Sequence, residues 1–111
     1  MKRDKARNAM DDKKMMESIA RLTKEYDSGL SATIPQIMKD TEENGYPMDR
    51  NRLINCVRRL RDREQIDSYW MRVGDNFYVD ENGERKRMLP VRRGYILTYI
   101  GWKDLTQSDA I

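Results

Sequence analysis

The spacing of apolar residues changes character once along this chain of 111 residues, at Ile66, and that change limits the possible folds more than any other feature. Before it, apolar residues recur every three or four positions, as on one face of an α-helix. Met15, Ile19, Leu22 and Tyr26 form the first stripe, in a helix predicted over residues 10–27 and stopped at Ser28-Gly29. Asp11 and Asp12 would then fall in its first turn, where the helix dipole favours negative charge. Thr33 as a cap and Pro35 in the first turn predict a second, short helix ending by Glu43, with Ile34, Ile37 and Met38 inward. Asn44-Gly45 and Pro47 turn the chain. Asp49 caps a third helix predicted to reach about Gln65, with Leu53, Val57 and Leu60 as its apolar stripe and Ile54 at the edge.

Beyond Ile66 the residues favour strands. Tyr69 to Val73, Phe77 to Val79 and Tyr95 to Ile100 are predicted strands, with turns at Gly74-Asp75-Asn76 and Asp80-Glu81-Asn82-Gly83. Thr98 offers an alternative for the last of these, as the cap of a short final helix through Trp102. Tyr69, Trp70, Phe77 and Tyr78 are expected in the core of a small sheet; stacking on single-stranded bases is the alternative.

Composition narrows the chemistry. The chain has no histidine, the commonest general base and zinc ligand. Cys56 is the single cysteine, so there is no intrachain disulfide, and a reducing compartment is expected. Cys56 lies beside the apolar stripe of the third helix and is expected to be half-buried and unreactive. No apolar run approaches the roughly 18 residues of a membrane span. Residues 1–16 carry charges without an apolar segment, so no secretory leader is expected. There is no Gly-rich phosphate loop, and the acidic residues Asp80, Glu81 and Glu84 sit in a turn. A cytoplasmic, nucleoid-associated protein with no cofactor, no metal and no enzymatic activity is expected.

Charge is uneven along the chain. Residues 1–49 carry nine Lys/Arg and ten Asp/Glu, whereas residues 50–93 carry twelve and seven, a net +5. The central block holds eleven Arg and one Lys. Guanidinium groups suit phosphate and guanine edges, so an anionic partner is expected for this block.

Three helices followed by a small sheet is the order of a winged helix-turn-helix, and the run TIPQIMKDTEENGYPMDRNRLINCVRRLRDREQID resembles that superfamily's second helix, turn and recognition helix. Leu60 to Ile66 sits where many members have Leu, a hinge and an apolar residue, with Glu64 at the hinge glycine and Gln65 at the following leucine. Leu97-Thr98-Tyr99-Ile100-Gly101 resembles the Leu-Thr-x-x-Gly ending of the wing in MarR- and PadR-like regulators. The resemblance implies an α+β winged helix-turn-helix, three N-terminal helices and a small antiparallel β wing. The domain would span residues 10–105, between a flexible charged tail (1–9) and a loose end (106–111).

The resemblance also implies a site. The helix face opposite the apolar stripe carries Asn51, Asn55, Arg58, Arg59 and Asp62, flanked by Arg52 and Arg63. Asn51, Arg52, Asn55 and Arg59 are expected to meet base edges, and Arg58 and Arg63 phosphates. Arg85, Lys86 and Arg87 are the expected wing tip, with Arg92 and Arg93 flanking the same surface. The expected partner is double-stranded DNA, and the expected role a sequence-specific, small transcription regulator, with a homodimer plausible from the long first helix. The alternative is an adaptor or inhibitor that docks on an acidic surface of a nucleic-acid-processing enzyme. Asp62, Glu64 and Asp67 among the arginines favour it, because they repel phosphates.

Overall fold

The computed structural model describes residues 5–72, 76–88 and 91–108. In chain order the elements are α1 (Lys5–Thr23), β1 (Ala32–Thr33), α2 (Ile34–Glu43), α3 (Arg50–Asp62), β2 (Ile66–Arg72), β3 (Asn76–Val79), β4 (Arg85–Met88), β5 (Val91–Leu97) and α4 (Tyr99–Ser108). Both caps predicted for the central helices form. Thr33 Oγ1 accepts the Gln36 N–H at 3.4 Å, and the Gln36 side-chain oxygen accepts the Thr33 N–H at 2.9 Å, a reciprocal box that starts α2. Asp49 Oδ1 accepts the Arg52 N–H at 2.8 Å and starts α3.

α1 differs from the helix the apolar period predicts. It begins at Lys5 and ends at Thr23, after which Lys24 takes a positive φ of 73°. Asp11 and Asp12 are thus not in its first turn but mid-helix, and only 4% and 3% exposed. Tyr26 lies beyond the helix and is exposed rather than part of its buried stripe. The stripe that is buried, Met15, Met16 and Ile19, packs with Ile37, Leu53, Leu60 and Leu97 into one core. Cys56 is fully buried rather than half-buried, because it faces α1.

The end of α3 explains the departure at the hinge. Gln65 N–H bonds the Leu60 carbonyl at 2.9 Å and Glu64 N–H bonds the Arg61 carbonyl at 2.9 Å, the pair of a Schellman stop. That stop needs a left-handed residue, and Glu64 supplies it at φ 59°. A side chain in this region costs about 1–2 kcal/mol, against about 0.5–1 kcal/mol of extra chain entropy for glycine. Glu64→Gly is therefore expected to stabilise the fold by about 0.5–1 kcal/mol in urea denaturation; a loss of stability would mean that the Glu64 side chain contributes a contact.

β5 lies between β1 and β2 in an antiparallel three-stranded sheet, and β3 pairs with β4 in a separate two-stranded one. The β2–β5 register sets Ile66 opposite Leu97, Ser68 opposite Tyr95 and Trp70 opposite Arg93. The chain beyond Leu97 is not strand: Thr98 caps α4, so the helical alternative holds. α4 runs on to Ser108, past the start of the expected loose end. The turn expected at Gly74-Asp75-Asn76 lies mostly outside the described residues. Three helices, a β ribbon and a closing helix make this a winged helix-turn-helix.

Candidate nucleic-acid interface

The buried stripe of α3 fixes where its remaining side chains go. Leu53, Cys56, Val57 and Leu60 face the core, and at about 100° per residue the rest fall into three sectors. One turns towards α1, one is open, and one turns towards α2 and the sheet.

The α1 side holds three arginines expected to touch DNA. Arg52 donates from Nη2 to Asp11 Oδ1 at 2.6 Å and from Nε to Asp11 Oδ2 at 3.2 Å. The Tyr46 hydroxyl donates to the same carboxylate at 2.6 Å. Arg59 Nε lies 3.0 Å from both oxygens of Asp12, and Arg63 Nη2 donates to Asp12 Oδ2 at 2.8 Å. Burial works to raise the Asp11 pKa, but the Arg52 and Tyr46 hydrogen bonds and the Arg52 charge outweigh it, so Asp11 titrates below the ordinary carboxylate range. Burial, reinforced by Asp12, pushes the Cys56 thiol up to about 12, so it is no nucleophile. Arg59, expected on the exposed face, is thus partly buried, and together with Arg52 and Arg63 beside it is ion-paired to α1. Two nearly buried carboxylates on α1 draw these guanidiniums inward, where they fasten α1 to α3.

The open sector keeps Asn51, Asn55 and Arg58, all exposed, together with Asp62. Among the described residues, the side chains of Asn51, Asn55 and Arg58 make no hydrogen bond or ion pair, unlike the three arginines beside them. Asn can pair bidentately with adenine, and Arg with guanine or a phosphate. The chemistry needed for reading a major groove is thus presented free in the N-terminal two-thirds of α3.

The third sector was not legible as a unit. Arg50 and Ile54 of α3, Pro35 of α2, and Trp70, Arg92 and Arg93 of the β2–β5 ribbon line one groove. Trp70 is 67% exposed and Tyr69 is exposed too, against the expectation of core positions for both. Alternation does place Trp70 on the same sheet face as Ile66 and Tyr95, but the helical layer does not close over it. The side chains of Phe77 and Tyr78 lie outside the described residues. The cross-strand register that sets Trp70 opposite Arg93 was the missing signal.

The expected wing residues sit on β4. Arg85 stands opposite Val79, Lys86 opposite Tyr78 and Arg87 opposite Phe77. Lys86 Nζ lies 3.2 Å from Asp80 Oδ2. Asp80 also accepts the backbone N–H groups of Asn82 and Glu84 at 2.9 Å, which closes the hairpin turn with Gly83 at φ 78°. The Glu84 N–H comes first among the groups that hold the Asp80 carboxyl below its usual range, followed by the Lys86 ammonium and then the Asn82 N–H. The side chain of Arg87 lies outside the described residues. Among the described residues no group of three metal-ligating side chains comes together, and no helix is long and apolar enough to cross a membrane.

Solved structures share this architecture. The chain is similar to a PadR-like transcription factor from Bacteroides fragilis, with 21% identity, TM-score 0.65, and coverage of 95% of this chain and 82% of that one. It is similar to a PadR family transcription regulator from Clostridium difficile R20291, with 16% identity, TM-score 0.61, and 90% and 83% covered. The circadian clock associated protein Pex from Anabaena aligns at 13% identity and TM-score 0.57, with 87% and 71% covered. No family model matches the sequence, and no curated protein matches it. At these identities the likeness defines the class by fold, a winged helix of PadR-like architecture.

Proposed function

We propose that this chain is a small transcription regulator that binds double-stranded DNA sequence-specifically, with α3 in the major groove and the β4 hairpin alongside as a basic wing. The observation that carries the reading is the open sector of α3. Among the described residues, Asn51, Asn55 and Arg58 are exposed and without side-chain partners, while Arg52, Arg59 and Arg63 beside them are ion-paired to α1. Asn51 and Asn55 are assigned to base edges and Arg58 to a phosphate; Arg85, Lys86 and Arg87 are assigned to the flanking backbone. The fold shared with solved transcription regulators supports the reading. A homodimer, acting in the cytoplasm on the nucleoid, belongs to the same proposal. The exposed Tyr26, Leu30, Tyr69, Tyr99 and Ile100 support it as apolar surface of the kind that subunits cover.

The test uses a site selected from random duplexes. Asn55→Ala is expected to lose about 1–3 kcal/mol of discrimination against a changed base in that site. Its affinity for unrelated duplex should stay as in the wild type, because non-specific binding rests on phosphates. Unaltered discrimination by the variant would remove Asn55 from the reading surface.

A further inference from the structure

The groove beside the open sector of α3 has a chemistry that contact with a paired duplex does not use. It encloses about 460 Å³, and its charged lining residues are Arg50, Arg92 and Arg93, with no carboxylate among them. Pro35 and Ile54 add apolar wall. Trp70 is 67% exposed, and the Arg93 guanidinium carbon lies 4.6 Å from its ring centroid. A stacked guanidinium fixes the indole and leaves an aromatic platform in a cationic setting. Arg50 and Arg92 have no ion-pair partner among the described residues. The complementary ligand is both aromatic and anionic, which is the chemistry of a nucleotide. A paired duplex keeps its bases stacked inside and cannot offer one to this platform.

We propose that this groove holds a single unstacked nucleotide of a DNA strand, its base stacked on Trp70 and its phosphate paired by Arg50 and Arg92. The inference rests on the DNA-binding reading above and sharpens its substrate class, to duplex carrying an unpaired or extruded base next to the α3 contact. Stacking of this kind is tolerant of base identity and gives about tenfold or more in affinity. Trp70 therefore adds preference for a DNA state, while Asn51 and Asn55 add preference for a sequence.

The experiment compares a labelled duplex with the same duplex carrying one bulged adenine, by fluorescence anisotropy on the full chain. Trp70 emission is followed in parallel in a Trp102→Phe background, since Trp102 is the other tryptophan. The wild type is expected to bind the bulged duplex about tenfold more tightly, with quenching of Trp70. Trp70→Ala should abolish that preference and leave perfect-duplex affinity unchanged; Trp70→Phe should retain part of it. Equal binding of both duplexes by the wild type, or a preference that survives in Trp70→Ala, overturns the inference while leaving the DNA-binding reading in place. Binding to neither duplex overturns both.

Discussion

Gly101→Ala is expected to cost about 3 kcal/mol of stability. A Cβ at Gly101 would stand 2.1 Å from the Gln65 carbonyl oxygen, and that atom is backbone and cannot swing away. The oxygen is also engaged, because it accepts the Thr98 N–H at 3.1 Å. Thr98 Oγ1 donates to the Glu64 carbonyl at 2.6 Å and accepts the Gly101 N–H at 3.1 Å. The first turn of α4 is thus pinned on the hinge between α3 and β2, and a methyl group there must push the two apart. Thermal denaturation should show a melting point lower by about 10 °C or more. A melting point close to that of the wild type would show that α4 does not seat on the hinge. The same geometry gives a physical account of the Leu-Thr-x-x-Gly pattern. Leu97 fills the core, Thr98 caps α4 and ties it to the hinge, and Gly101 permits the close approach.

Asp12→Ala is expected to cost about 2 kcal/mol, below the 3–5 kcal/mol of a fully buried pair because Arg59 and Arg63 remain partly in water. The Asp12 carboxylate is itself almost fully buried and is the shared acceptor of both arginines. Removing it leaves two guanidiniums crowded against α1 with no counter-charge. Urea denaturation of Asp12→Ala, Arg59→Ala and the double variant measures the pair. The double variant should be more stable than the sum of the single losses implies, because the second change removes a charge already orphaned. Strict additivity would show that the ion pair does not couple the helices.

Much of the scaffold was legible because local chemistry and tertiary packing agree there. Thr33, Asp49 and Thr98 each cap a helix through a side chain placed next to its own target, so sequence position decides the contact. The candidate site was only half legible. Asn51, Asn55 and Arg58 lie opposite the apolar stripe and stay open, as helical geometry requires. The fate of Arg52, Arg59 and Arg63 depended on a residue type that a stripe of apolar positions does not register. Asp11 and Asp12 stand four and three positions before Met15, hence on its buried face, and the helical period held that information. Their assignment to a helix start concealed it, because the stretch before Met10 carries no apolar period to extend the helix. Trp70 failed differently. Alternation gives the face of a strand but not how far along the ribbon the helices cover it, which only the assembled layers decide.

On the proposed reading, DNA meets the open sector of α3 and not its α1 side. The most direct measurement is the salt dependence of duplex binding for the wild type, Arg58→Ala and Arg59→Ala, by fluorescence anisotropy over a series of salt concentrations. The wild type should show a steep negative log–log slope, Arg58→Ala a slope smaller in magnitude by about 1, and Arg59→Ala the wild-type slope. A flat wild-type slope, or a loss of slope in Arg59→Ala equal to that in Arg58→Ala, would contradict it.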